Sequence, residues 1–134
     1  GLFHNLMIVS IKKSYPGQAR KTINSICSLG QAMFTKVIIV VDEWVNVHNL
    51  SEVAWVVLNY IDPERDMQFI NGPVETLEHA TDIPYYGSKV GIDATKKLSS
   101  EGFKRSWPEP IKMDSEIVNK MKPIIDNLFQ ILKK

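Results

Sequence analysis

Residues 6–27 read LMIVSIKKSYPGQARKTINSIC, and they predict a strand followed by a helix. Residues 6–11 are apolar and rich in β-branched side chains, which predicts a buried strand. A break follows at residues 15–17, where Pro16 suits the first turn of a helix because its missing N–H costs nothing there. Apolar residues then recur at helical spacing, so we expect a helix that stops near Gly30.

The next elements continue the alternation of strand and helix. Residues 36–41 are apolar on both faces, which is typical of a parallel strand that is covered on both sides. Asn49 and Glu52 form a capping-box pattern ahead of residues 53–58. We predict a helix there, because two successive buried strands need a crossover connection. A third, short strand is expected at residues 67–70 and is closed by the turn signal Asn-Gly-Pro.

The second half of the chain is predicted to hold one loop, one strand and a terminal helix. Residues 74–86 have no clear period and contain a proline, which indicates a loop. Residues 89–95 alternate small or apolar side chains, as a strand does, and a polar connector follows over residues 99–110. From Asp114 a broad apolar stripe marks an amphipathic helix, which Pro123 should kink.

Together these elements predict an α/β fold, with a mainly parallel or mixed sheet flanked by helices and a C-terminal amphipathic helix. The predicted α/β domain spans residues 1–113, and residues 114–134 form the helix for packing or oligomerisation. The first residue is glycine and the first predicted strand follows almost at once, so a preceding domain is expected.

Composition limits the classes of function. The 134 residues are 44% hydrophobic, which suits one globular domain with a real core. Sixteen Lys and Arg oppose fifteen Asp and Glu, so the net charge of +1 gives no broad attraction to nucleic acid. The longest apolar runs are far shorter than the roughly 20 residues of a membrane span. We therefore expect neither a nucleic-acid partner nor a transmembrane segment.

Two positions suggest chemistry, and each has a simpler structural interpretation. Cys27 is the only cysteine and lies on the apolar stripe of the first predicted helix. A catalytic thiol needs a base and an electropositive setting, so a small buried hydrophobe is favoured. Asp42 and Glu43 follow a buried strand, where open α/β sheets bind ligands. Acidic residues also follow strands simply because the chain reaches the surface there, and that interpretation is favoured.

Other motifs are weaker still. Residues 87–91, GSKVG, resemble part of a phosphate loop but lead into a strand, so a solvated turn is favoured. Residues 107–110, WPEP, suit a polyproline-type recognition segment or, preferably, a strap packed on the domain itself. His4, His48 and His79 share no ligand spacing, so no metal-binding residue is expected.

Six stretches, taken in order, resemble the C-terminal domain of the UbiD family. They are residues 4–21 (HNLMIVSIKKSYPGQARK), 34–43 (FTKVIIVVDE), 52–55 (EVAW), 62–66 (DPERD), 87–95 (GSKVGIDAT) and 107–110 (WPEP). The resemblance covers roughly residues 2–114. The chain departs from the family at Trp44, where an acidic residue is usual, and at residues 98–100, where Trp-Pro-Gly is frequent.

The resemblance implies that the parent protein is a carboxy-lyase. UbiD enzymes are non-oxidative decarboxylases of aromatic and α,β-unsaturated carboxylic acids, such as the polyprenyl-hydroxybenzoates of ubiquinone or menaquinone biosynthesis. They use prenylated FMN with a divalent metal and a monovalent cation. In the family the cofactor ligands and an acidic motif resembling Glu-Gly-Pro-Phe-Gly-Glu lie in the preceding domain, and no such motif occurs in this chain. No catalytic residue and no bound cofactor are therefore expected here, and the isolated chain should be inactive.

For the domain itself the resemblance implies closure over an upstream cofactor-binding domain and assembly of a homo-oligomer. The residues expected to line the substrate pocket are Val74, Thr76, Leu77 and His79. The residues expected at the oligomer interface lie on the terminal helix and are Ile117, Met121, Ile124, Leu128 and Leu132. The parent is expected in the cytoplasm, with peripheral membrane association where its substrate is polyprenylated.

Two alternatives remain open at this point. The chain could be a stand-alone, non-catalytic protein-interaction module. The weaker alternative is a free-standing hydrolase that uses Cys27 or His79.

Overall fold

The apolar run at residues 6–11 forms the first strand, β1 (Leu6–Ile11), in the computed structural model, which describes residues 5–109 and 113–132. Helix α1 (Gln18–Ser28) follows, and its N-cap Gly17 has φ 76°, a conformation that favours glycine. Strand β2 (Val37–Asp42) and helix α2 (Leu50–Tyr60) come next. The predicted strands and both helices are thus confirmed in this half of the chain.

The second half begins with a four-residue helix, α3 (Pro63–Asp66), which leads directly into strand β3 (Met67–Pro73). Strand β4 (Tyr86–Asp93) and helix α4 (Ser115–Leu132) follow along the chain. Short 3-10 turns also occur at Gly30–Phe34 and Ser99–Glu101.

The sheet is mixed, and its strand order is β1-β2-β4-β3. Strands β1, β2 and β4 are parallel, whereas β3 is antiparallel to β4. The three parallel strands therefore end at one edge of the sheet, which we call the carboxyl edge, and β3 begins at that same edge. This topology confirms the predicted α/β class with its mainly parallel or mixed sheet.

Two predicted boundaries in the antiparallel pair are wrong. The Asn-Gly-Pro signal does not close β3 after residue 70, because Asn71, Gly72 and Pro73 pair with Ser88, Gly87 and Tyr86. The GSKVG segment is likewise part of β4 rather than a solvated turn. Local turn signals lose to ladder hydrogen bonds when a neighbouring strand is available.

Helix α1 packs on one face of the sheet. Its Ala19 and Ile23 are buried against Ile38 and Val40 of β2. Gly91 of β4 makes this approach possible, since a Cβ atom at that position would collide with the Ile23 side chain. A strand glycine here marks a close approach between two elements.

The other face of the sheet is covered near the carboxyl edge. Val41 is fully buried, although its side chain lies on the face opposite Val40. The buried side chains of α2, the helix that follows β2, are Val53, Val56 and Tyr60. Asn49 caps this helix by accepting the Glu52 N–H at 3.3 Å, as the capping-box pattern predicts.

The chain divides into two compact units, residues 1–104 and 105–134. Helix α4 belongs to the second unit and contains Pro123 within its length. No helix in the described ranges 5–109 and 113–132 has the length and apolar character needed to cross a membrane.

Candidate functional site

Charged side chains converge at the carboxyl edge of the sheet. Lys13 lies two residues after β1, Asp93 ends β4, and Asp66 stands immediately before β3. Because these strand ends share one edge, residues that are far apart in sequence meet in space. Lys97 and Glu101 reach the same place from the segment after β4.

These five residues form a buried ionic network. Lys13 Nζ lies 2.7 Å from Glu101 Oε2 and 3.8 Å from Asp93 Oδ2. Lys97 Nζ lies 3.1 Å from Asp93 Oδ1 and 3.2 Å from Asp66 Oδ1. Buried charges persist in a fold only when they are paired and hydrogen-bonded, and each of these is.

Arg65 adds a sixth charge to this network. Its Nε and Nη2 donate to the two carboxylate oxygens of Asp66 at 2.8 and 2.7 Å, a bidentate geometry. Burial alone would raise the pKa of Asp66, but the hydrogen bonds from Arg65 and the Asp62 N–H, with the charge of Lys97, hold that pKa below its usual range. Asp66 is therefore ionised at neutral pH.

The same network fixes the chain that leaves β4. Asp93 Oδ1 accepts the Thr95 hydroxyl at 2.5 Å and the Thr95 N–H at 3.0 Å. Lys97 Nζ donates to the carbonyl oxygens of Asp93 and Thr95 at 2.8 and 3.0 Å. Residues 93–97 are thereby folded back onto the carboxyl edge.

A cavity of about 330 Å³ opens beside the network. Its walls include Asp66, Asp93 and Lys97, together with Arg20 from α1 and Phe103. A polar cavity at the carboxyl edge of an α/β sheet is the usual position of a ligand site in this class of fold.

Asp42 and Glu43, singled out from the sequence, border a second cavity of about 250 Å³ at this edge. Burial raises the pKa of Asp42, and the hydrogen bond from the Lys96 N–H, at 2.8 Å, opposes that rise. The Lys96 ammonium lies 5.9 Å from the ring centre of Trp44. Asp42 thus has a structural partner inside the domain.

The segment expected to line the substrate pocket lies at the opposite edge of the sheet, between the end of β3 and the start of β4. Val74 is only 1% exposed, so its side chain packs inside the domain. The Thr76 hydroxyl donates a hydrogen bond to Glu75 Oε1 at 2.8 Å. His79 is exposed, and Leu77 is 75% exposed. Thr76, Leu77 and His79 are the three residues of this set that are exposed, and Leu77 and His79 have the larger side chains.

This loop is tied to the domain at two points. The Val74 N–H donates to the Tyr85 carbonyl at 3.1 Å, which closes the neck of the loop. Lys36 Nζ lies 2.9 Å from Glu78 Oε2, and this hydrogen bond lowers the pKa of Glu78. The loop is therefore held by its own domain while its tip stays accessible.

The predicted interface residues lie on α4, and the side chains of this stripe are between 42% and 79% exposed. They are Ile117, Met121, Ile124, Leu128 and Leu132. A continuous apolar stripe with this exposure is typical of a surface that binds a partner.

The remaining sequence candidates do not form a site. Cys27 packs against the α1 core, and burial raises the pKa of its thiol, which disfavours the reactive thiolate. His48 is exposed, and His4 lies outside the described residues, as does the last residue of the WPEP segment. Within residues 5–109 and 113–132, no three or more His, Cys, Asp or Glu side chains are arranged to hold a metal ion.

These features define the chain as an α/β domain with a buried ionic network at the carboxyl edge of its sheet. The chain belongs to the family of 3-octaprenyl-4-hydroxybenzoate carboxy-lyase C-terminal domains, UbiD_C, whose model matches residues 1–94. The resemblance inferred from the six sequence stretches is confirmed.

Two similar sequences belong to uncharacterized proteins. An uncharacterized protein of Archaeoglobus fulgidus is 47% identical over 125 residues, which cover 92% of this chain and 26% of that protein. An uncharacterized protein of Aquifex aeolicus is 44% identical over 128 residues, which cover 96% of this chain and 26% of that protein. The chain thus spans about a quarter of the length of these relatives.

Solved structures with this fold include decarboxylases. Vanillic acid decarboxylase of Sedimentibacter hydroxybenzoicus, in its open form, superposes with a TM-score of 0.74 at 29% identity, over 95% of this chain and 27% of that one. The UbiD-class enzyme HmfF of Pelotomaculum thermopropionicum, in complex with FMN, superposes with a TM-score of 0.65 at 26% identity. The superposition covers 79% of this chain and 24% of the HmfF chain.

Proposed function

We propose that this chain is the C-terminal assembly and pocket-closing domain of a UbiD-like, prenylated-FMN-dependent non-oxidative decarboxylase. The observation that carries the proposal is the family match over residues 1–94, which the likeness to vanillic acid decarboxylase supports. The proposed substrates are aromatic or unsaturated carboxylic acids. Within this class, the specific substrate that we propose is a polyprenyl-hydroxybenzoate-like acid of quinone biosynthesis.

The cofactor is assigned to an upstream domain of the same enzyme. Two observations support this assignment: the relatives are about four times as long as the chain, and HmfF is known in complexes with FMN and prFMN. Prenylated FMN, when bound, supplies the electron sink for loss of CO2. The proposal places the divalent metal and the monovalent cation with it and assigns no cofactor contact to this chain. The isolated chain is accordingly expected to be inactive.

Two parts of this chain would serve the parent enzyme. The exposed loop tip with Leu77 and His79 would face the upstream domain and help to close the substrate pocket. The apolar stripe of α4 would join subunits into a homo-oligomer. The enzyme would act in the cytoplasm, at the membrane surface where its substrate is polyprenylated.

The test compares the isolated chain with a longer polypeptide from the same reading frame that includes the upstream region. Both are supplied with prenylated FMN, and CO2 release is measured from a panel of aromatic and unsaturated acids. We expect the longer polypeptide to release CO2 and the isolated chain to release none. A reading frame with no upstream cofactor-binding region would favour the stand-alone interaction module, and CO2 release by the isolated chain would overturn the placement of catalysis upstream.

A further inference from the structure

Three cations and three carboxylates line the 330 Å³ cavity at the carboxyl edge. Lys13 is not part of the wall but pairs with Glu101, so the cavity and its ionic network together carry one excess positive charge. Asp66 is matched by Arg65, Asp93 by Lys97, and Glu101 by Lys13. Three carboxylates thus face three cations at 3.1 Å or less. Arg20 also lines the cavity. Among the ion pairs of the described residues, none includes Arg20, so its charge is left over.

The two arginines at the cavity are held in place. Arg20 Nη2 donates to the backbone carbonyl oxygen of Arg65 at 2.5 Å. The Arg65 guanidinium is fixed by its bidentate bond to Asp66 and lies 5.9 Å from the ring centre of Phe103. Side chains that are already ordered lose little further entropy when a ligand binds, so their hydrogen bonds favour binding more fully.

We propose that this cavity binds a carboxylate, with the Arg20 guanidinium as its main partner. The planar fork of a guanidinium matches the two oxygens of a carboxylate, and the bond is charge-assisted. A volume of about 330 Å³ accommodates a small acid such as acetate or benzoate. Phe103 supplies an apolar wall for the aromatic ring of benzoate.

The proposal goes beyond the decarboxylase assignment, because it concerns the edge of the sheet opposite the loop that holds Leu77 and His79. The carboxylate has two potential sources, a free acid and an acidic side chain of the upstream polypeptide. Both present the same chemistry to Arg20.

The binding test is a titration of the 134-residue chain with sodium benzoate and with sodium acetate, followed by amide NMR at constant ionic strength. The amide signals of Gly17 and Gly102, which line the cavity, should shift and saturate. Sodium chloride alone should leave them in place. The absence of a saturable shift at tens of millimolar benzoate would overturn the proposal.

Variants locate the site. Arg20→Gln should weaken benzoate binding at least about tenfold, because a hydrogen bond to a charged group is lost. Arg20→Lys keeps the charge without the fork and should show an intermediate affinity. Lys21→Gln, a change of charge at the next position on α1, should bind as the unaltered chain does. Equal affinity for all three variants would contradict the role of Arg20.

The same titration of the longer polypeptide separates the two sources. Loss of benzoate binding there, with the site intact in the isolated chain, identifies an acidic side chain of the upstream region as the occupant. Retained binding identifies a free acid. Both results support a carboxylate site, and neither result depends on decarboxylase activity.

Discussion

Lys97 is the cation that two carboxylates of the ionic network share. Its ammonium group contacts the carboxylates of Asp66 and Asp93 and two backbone carbonyls, and its side chain is 3% exposed. Lys97→Met would leave two buried carboxylates without their shared cation. We expect the free energy of unfolding to fall by about 3–5 kcal/mol. Denaturant titration measures this loss.

The matched control is Lys104→Met, which changes an exposed lysine in the same way. Its effect should stay within about 0.5 kcal/mol. A loss of less than about 1 kcal/mol for Lys97→Met would mean that the network has little influence on stability.

Lys89 gives a pH-dependent prediction. Lys89 is 2% exposed, and its ammonium donates to the Met33 carbonyl. Burial lowers its pKa, and a negative charge on Cys27 acts in the opposite direction. An unfolded lysine has a pKa near 10.4, so between the two pKa values the unfolded chain binds more protons than the folded one. Stability should therefore rise with pH in this window.

Lys89→Met removes this titration and leaves the other groups in place. The stability of the unaltered chain relative to the variant should increase as the pH rises toward about 10.4, the pKa of an unfolded lysine. Urea unfolding of both proteins at several pH values measures it. Parallel pH profiles would show that Lys89 is as well solvated in the folded chain as in the unfolded one.

At the scale of elements, the loop between β3 and β4 tests how the proposed pocket lining is held. Its main tether is the bond of 2.9 Å between Lys36 and Glu78, and Glu78 also accepts the Ala80 N–H at 2.8 Å. Glu78→Gln should speed amide exchange over residues 75–81, because the ion pair is lost, and should spare the amide of Val74 at the neck.

Hydrogen exchange followed by mass spectrometry or NMR makes this comparison. Asp82→Asn, an exposed carboxylate in the same loop, is the control and should leave exchange unchanged. Unaltered exchange in Glu78→Gln would show that the loop is ordered by its neck alone.

The same elements show how far the sequence is informative. Strands β1 and β2 and helices α1 and α4 were predictable because their apolar periods reflect burial on one face or two. Helix α2 was predictable from its capping box and from the crossover that two successive buried strands need. The extension of β3 to Pro73 was not, since it depends on pairing with Tyr86 and its neighbours. Local turn chemistry gives no information about a partner strand.

The ionic network illustrates the same limit for the site. Lys13, Asp66 and Asp93 are ordinary charged residues in the sequence, and only the parallel topology brings them together. The available signal was the position of a charge at each strand end, and in the sequence that signal pointed to Asp42 and Glu43. The segments that carry the family resemblance contain all three residues.

For the molecule as a whole, the proposed assembly function depends on helix α4. Its large apolar side chains are each at least 42% exposed, and burying one such side chain contributes roughly 1.5–3 kcal/mol relative to full exposure. Exposed stripes of this kind are expected to associate, and an assembly domain requires that they do.

The most direct measurement is the mass of the 134-residue chain in solution, by sedimentation equilibrium over a range of concentrations. The account predicts a homo-oligomer for the intact chain and a monomer for a chain cut after Met113. Ile124→Asp should dissociate the oligomer, whereas Asn119→Asp, which adds the same charge on the same helix, should not. Equal monomeric masses for the intact and the shortened chain at high concentration would contradict the account.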